Sequence, residues 1–458
     1  MNKYFGDRNF YKRVLSLTIP IMIQNGITNF VNMLDNVMVG KVGTVEMTGV
    51  AVTNQLIFVF NLCVFGIISG AGIFGAQYFG NGDNKGVQYT FRFKIITCTV
   101  LTALAAALFI FKGDSLIMLY LKGEGRAEDI AASLGHARNY LFIMLIGLLP
   151  YTIAQCYSST LRETDHAVVP MTAGIVAVSV NLVLNYALIF GHFGAPKMGV
   201  EGAAIATVIS RFAELITVAV WTGVNKIDNE FIEGAFKSFK VPLKLVKQIF
   251  VKGLPLMANE SVWGIGVALI NQRFSLLGFD VVSANNIAQT FSNVFSVSFI
   301  SIGAAVGIIL GQLLGAGKKE EAKVASSRLI TFAVLVSVAV GAVFMLCAQF
   351  IPEIYNTSAS VKKIATGLMA VYACVMPIEA FINSSYFTLR SGGKVFITML
   401  FDSIYVWVVT IPFVVLFTSV FSLPIIPLYA FSQALGLGKC LMGYILVKKG
   451  IWIKQIVI

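Results

Sequence analysis

Residues 75–82 read Gly75-Ala76-Gln77-Tyr78-Phe79-Gly80-Asn81-Gly82, and residues 310–317 read Leu310-Gly311-Gln312-Leu313-Leu314-Gly315-Ala316-Gly317. The core Gln-x-x-Gly-x-Gly recurs in register at an offset of 235 residues. The same offset joins Pro20 to Pro255, Gly43 to Gly278, Phe60 to Phe295 and Gly72 to Gly307. Farther along the offset becomes 228, where Thr160-Leu161-Arg162 meets Thr388-Leu389-Arg390, with Pro150 and Pro377 upstream. A long, fixed offset that preserves glycines and prolines marks duplication of one half of the chain. Both glycine segments lack the Gly-Lys-Ser/Thr of a phosphate loop. They read as turns, and the energy for any work done by this chain is expected from an ion gradient or a partner rather than from bound ATP.

Around these turns the 458 residues are 57% hydrophobic and only 12% charged, with a mean hydropathy of +0.82. Soluble domains carry about 25% charged residues. The charges also cluster, leaving apolar runs of the ~20 residues that a helix needs to cross the hydrocarbon core. Twelve such runs lie near 14–36, 50–78, 93–111, 138–160, 168–190, 199–222, 250–274, 284–312, 329–351, 364–388, 395–418 and 425–447. The 41 glycines suit close approach of membrane helices. The expected fold is therefore an all-α membrane protein of 12 transmembrane helices, in two six-helix bundles related by a pseudo-two-fold axis along the membrane normal. Residues 1–222 form the first lobe, 223–249 a basic cytoplasmic linker, and 250–458 the second lobe.

Basic residues accumulate in alternate connections: Lys3 to Arg13, Lys85 to Lys94, Lys226 to Lys252, Lys318 to Arg328, Arg390 and Lys394, and Lys448 to Lys454. By the positive-inside rule these segments and both termini are cytoplasmic, at the plasma membrane. The net charge of +12 is then accounted for by loops facing anionic lipid, with no nucleic-acid partner expected. Met1 to Arg13 is polar and basic and lacks a small-residue cleavage site, so the first span is expected to be its own insertion signal. The six cysteines fall inside apolar runs without a CxxC pair, and the three histidines lie near loops. Neither residue type suggests a metal site.

Ionisable groups at membrane depth are costly and usually face a cavity or a partner. Gln24, Thr28, Asn32 and Asp35 follow spacings of four, four and three, which places them on one helix face. Asn181 and Asn185 are stacked four apart in span 5, and Thr207 offers a hydroxyl in span 6. One carboxylate, two amide oxygens and a hydroxyl compose a hard-oxygen set suited to Na+ or a proton; interhelical hydrogen bonding is the purely structural alternative. Glu260 follows Pro255 in span 7, and Glu379 follows Pro377 in span 10, with Asn383 four residues on. Neither glutamate has an acidic counterpart in the other half. Asn286, Gln289 and Asn293 share a face of span 8, and read as cavity-lining. Arg211 and Glu214, three apart, are expected to form an internal ion pair. Asp402 reads as interfacial, and Lys439 as paired with an acid or snorkelling to the surface.

Several of these patterns resemble the multidrug and toxic compound extrusion (MATE) transporters. They are Pro20-x-x-x-Gln24 with Asp35-x-x-x-Val39-Gly40, Gly75-x-Gln77-x-x-Gly80 and its repeat, the Leu-Arg after spans 4 and 10, Asn181-x-x-x-Asn185, and Gly199-x-x-Gly202-Ala203-Ala204-x-Ala206-Thr207. The resemblance covers nearly the whole chain. It implies a non-enzymatic protein with no bound cofactor: a V-shaped, two-lobed monomer that exports organic cations or other amphipathic small molecules by alternating access, in exchange for Na+ or H+. It also implies that Asp35, Asn181, Asn185 and Thr207 form the cation site of the first lobe, with Glu260 and Glu379 as the acids of the second. Many relatives carry Asp where this chain has Asn185, which leaves one formal charge in the first site. A lipid-linked saccharide flippase of similar architecture is the alternative; it would need cavity bases to meet phosphates, and here the acids outnumber them.

Overall fold

The computed structural model describes residues 4–121, 127–421 and 423–457, with the side chains at 32, 33, 36, 37, 44 and 127 outside the described set. All twelve expected spans are helices long and apolar enough to cross a membrane. Helices are what apolar runs must form in lipid, where every backbone N–H and C=O has to be paired within its own segment. They are α1 (Arg8–Gly40), α2 (Thr44–Gly80), α3 (Asn84–Leu121), α4 (Ala127–Glu163), α5 (Val168–Phe190) and α6 (Gly199–Val224), then α7 (Leu243–Ser275), α8 (Phe279–Gly315), α9 (Lys319–Cys347) and α10 (Ala359–Ser391). The last two are α11 (Val395–Ser419) and α12 (Ile425–Lys448). Several outrun their apolar cores because the helix continues beyond the hydrocarbon-length stretch.

Helix boundaries keep the duplication's register. Arg8 and Leu243, Gly40 and Ser275, Thr44 and Phe279, Gly80 and Gly315, and Asn84 and Lys319 begin or end matching helices, each pair 235 residues apart. The repeated motif explains itself locally. Gly82 and Gly317 both adopt left-handed backbone, at φ 71° and 74°, where a side chain would be strained. Each closes the end of its helix through a short bond, Gly82 N–H to Phe79 O at 3.0 Å and Gly317 N–H to Leu314 O at 3.1 Å.

The chain divides into two compact units. One contains residues 23–75 and 83–253, the other residues 1–22, 76–82 and 254–458. In the first, α5 packs on α6, α6 on α4, and α4 on α3. Its stretch 225–242 is anchored to the start of α3. Arg92 donates from Nε to Ala235 O and from a terminal nitrogen to Gly234 O, both at 2.8 Å, and Phe231 stacks edge-on against Phe91. In the second unit α8, α9 and α10 pack together, and α12 lies against α10. There Gly80 abuts the backbone of Gln312, and Gly315 the backbone of Gln77, too closely for a Cβ on either glycine. Gln77 donates to Ser391 O (3.0 Å) and Lys454 O (3.2 Å), and accepts from Ile456 N–H (2.7 Å). Arg13 donates to Gln312.

The last two spans depart from plain α-helix. α11 is wound as π-helix over Leu400–Ile404 and Val406–Thr410, and α12 is interrupted at Leu435 between Ile425–Ala434 and Gly436–Lys448.

Candidate functional site

In the unit of residues 23–75 and 83–253, one polar network joins α1, α5 and α6. Asn185 is 1% exposed and Asn181 5% exposed, stacked one turn apart on α5. The Asn185 amide donates to Asp35 Oδ1 at 2.6 Å and to Asn181 Oδ1 at 3.0 Å. The Asn181 amide in turn donates to Thr207 Oγ1 at 3.3 Å. Gly202 makes this possible: a Cβ there would stand 2.7 Å from Leu188 O, so only glycine lets α6 come this near α5. The four residues picked from sequence are therefore brought together. Their oxygens suit a hard monovalent cation or a proton. Asn185 Oδ1 is buried with no hydrogen-bond partner among the described residues.

The rest of the α1 polar face divides. Gln24 lies against Gly174 of α5, with its Oε1 buried and without a hydrogen-bond partner among the described residues. Thr28 is exposed and bonds back to Gln24 O at 2.8 Å. The side chain of Asn32 lies outside the described residues. Arg211 and Glu214 are within electrostatic reach of each other but form no direct salt bridge among the described residues. The Arg211 guanidinium lies over the Tyr151 ring, 5.0 Å from the centroid, and Glu214 accepts from Gln155 at 3.4 Å. An i,i+3 spacing permits contact but does not outweigh an aromatic face available on α4.

The other unit carries a second network. Glu260 accepts from Tyr386 Oη at 3.2 Å. Its neighbour Asn259 accepts from Ser403 Oγ at 2.7 Å and donates to Asp402 Oδ2 at 3.2 Å. Asp402 Oδ1 holds the Lys439 ammonium at 3.0 Å. Asp402 is the partner of a buried lysine, and of the two outcomes expected for Lys439 the pairing is the one observed. Glu379 lies beside Gly436, one turn from Lys439 on α12. Asn383 is packed against Gly303 of α8. Gln289 donates to Asn271 of α7 at 2.7 Å, whereas Asn286 and Asn293 are exposed on α8.

Sequence reading missed one buried pair altogether. Lys94, 0% exposed, donates to both oxygens of Glu163 at 2.7 and 2.8 Å and to Ser159 and Thr160. Gly72 and Gly75 leave room for the Glu163 carboxylate. The Gly-x-x-Gly spacing was visible in α2, but nothing in the sequence tied it to an acid on α4. Among the described residues no group of three or more His, Cys, Asp or Glu could hold a metal ion.

Twelve spans, internal duplication and buried polar networks inside each unit are the features of a membrane transporter. A family model named MatE matches residues 20–187 and 257–416, one stretch in each half. The chain belongs to the MatE family and is a transporter, not an enzyme, as the sequence resemblance implied. Among curated relatives, the probable multidrug resistance protein NorM of Thermotoga maritima is 26% identical over 413 residues, spanning 88% of this chain and 84% of that protein. The multidrug resistance protein PmpM of Pseudomonas aeruginosa is 26% identical over 406 residues, spanning 88% and 82%. Among solved structures, a MATE transporter in an outward-facing conformation superimposes with a TM-score of 0.86 at 19% identity. A variant of the Vibrio cholerae MATE transporter VcmN does so with 0.87 at 15%. Each of these two covers 97% of both chains.

Proposed function

We propose that this protein is a secondary active antiporter that exports organic cations and related amphipathic drug-like compounds in exchange for Na+ or H+. The observation that carries the reading is the Asp35–Asn185–Asn181–Thr207 network, a lone carboxylate held among neutral oxygens inside a membrane-spanning unit. As the side chains stand, the Asn185 amide donates to Asp35 and to Asn181. Turning that amide over would set Asn185 Oδ1 beside the carboxylate, which requires a proton or a cation between them. Loading and release of the coupling ion would then reorganise contacts among three helices. The names of the curated relatives support drug efflux as the cargo class.

Glu260 and Glu379 are the acids that would meet a cationic cargo in the other unit. A phosphate-bearing lipid-linked saccharide would need a base there, and Lys439 is engaged by Asp402. In this reading the repeats 1–222 and 250–458 alternate access about the stretch 223–249. The protein acts as a monomer in the cell membrane, with its basic segments and both termini in the cytoplasm.

The test is dye efflux from proteoliposomes under an imposed Na+ gradient and, separately, an imposed pH gradient. Response to one gradient alone identifies the coupling ion. Asp35→Asn should lower efflux at least tenfold while the protein still inserts; full activity in that variant would remove Asp35 from the mechanism.

A further inference from the structure

The second polar network holds a feature that the export reading leaves unused. Lys439 is 9% exposed, inside an apolar bundle, and its ammonium is held by Asp402 at 3.0 Å. A buried ion pair is a poor source of stability, because desolvation offsets the attraction. This one also coincides with two interruptions of helix geometry. Asp402 stands in the first π-helical turn of α11, and Lys439 follows the break in α12 at Leu435. The carbonyl of Leu435 is satisfied by Tyr405 Oη at 2.8 Å, and the Tyr405 ring lies 5.8 Å from the ammonium. π-helical turns and interrupted membrane helices recur at binding sites.

The charges around the pair are countable. Glu379 is within electrostatic reach of Lys439 and Asp402, and Glu260 within reach of Asp402 and Arg390. Three acids, Asp402, Glu260 and Glu379, thus stand with two bases, Lys439 and Arg390. Gly436, Gly438 and Gly443 let Glu379, Tyr405 and Ser385 pack against the stretch of α12 that carries Lys439. Ser385 Oγ is buried with no hydrogen-bond partner among the described residues.

We propose that Lys439 is a tethered cation that occupies the acidic site of this unit when no cargo is bound, and that a monovalent organic cation must displace it from Asp402. The inference rests on the export reading and deepens it. The site sets its own threshold, since a cargo has to compete with a covalently attached ammonium, and neutral compounds gain nothing from the acids.

The experiment measures tetraphenylphosphonium binding to the purified, full-length protein. Lys439→Met should tighten the apparent Kd at least tenfold. Asp402→Asn should weaken it, and Lys439→Arg, which keeps a charge in place, should stay near wild type. Unchanged or weaker binding by a folded Lys439→Met protein overturns the proposal. A second measurement needs no variant: pulse acetylation of the wild-type protein, read by mass spectrometry at Lys439. Saturating tetraphenylphosphonium should raise labelling at least threefold, and equal labelling with and without the cation overturns the proposal. Intact efflux combined with either negative result rejects the tethered cation alone. A wild-type protein that neither binds nor exports any cation rejects the export reading with it.

Discussion

Gly315 packs on the backbone of Gln77, and the reciprocal pair, Gly80 on Gln312, repeats the contact with the two motifs exchanged. Two helix ends therefore cross at backbone distance. Gly315→Ala should destabilise the fold by about 3 kcal/mol or more, since the added methyl meets main chain rather than a side chain that can rotate away. Thermal melting in detergent checks this. A melting point equal to wild type would show that the crossing relaxes freely.

Asn185→Asp places a second carboxylate beside Asp35, in direct hydrogen-bonding range of the first. Like charges at that separation favour a bound cation or a shared proton. The shift in melting temperature on adding Na+ should be several times larger than in wild type. Identical Na+ responses would show that these oxygens do not hold the ion.

Lys94 and Glu163 form a buried pair with no exposed edge on the lysine side. Lys94→Met strands a buried carboxylate and should cost about 3–5 kcal/mol. The double variant Lys94→Met/Glu163→Gln should recover most of that loss. Denaturant titration of the three proteins tests the coupling; strict additivity would contradict it.

Gln77 makes three hydrogen bonds to residues 391, 454 and 456. Gln77→Ala should release the segment 450–457, with amide hydrogen exchange there rising about thirtyfold, from the two bonds to that segment at ~1 kcal/mol each. Unaltered exchange would mean that burial of Trp452, which is fully enclosed, suffices to hold the segment.

What was legible in the sequence follows from period. Asn181 and Asn185 could be stacked because a helix returns every 3.6 residues, and the 235-residue offset located matching helix ends. Partners across helices carry no such signature. The pairing of Asp402 with Lys439 was not legible because depth along α11 says nothing of α12, and the π-turns that present Asp402 have no sequence period of their own. Arg211 and Glu214 show the converse, a local spacing that brings two charges within reach without a direct salt bridge among the described residues. Gln289 was correctly read as polar, but Asn271, the residue it bonds, was not noticed.

The contact between Arg13 and Gln312 spans 299 residues, and that between Gln77 and Lys454 spans 377. Residues 83–253 can find most of their partners within one contiguous piece of chain, whereas the bonds from Arg13 to Gln312 and from Gln77 to residues 391, 454 and 456 cannot form until the second half has been synthesised. During translation the leading end of α1 and the tip of α2 must therefore wait, membrane-inserted but unclasped, for the ribosome to deliver α8 and then the segment beyond α12. The closing steps of assembly fall at the two copies of the repeated motif.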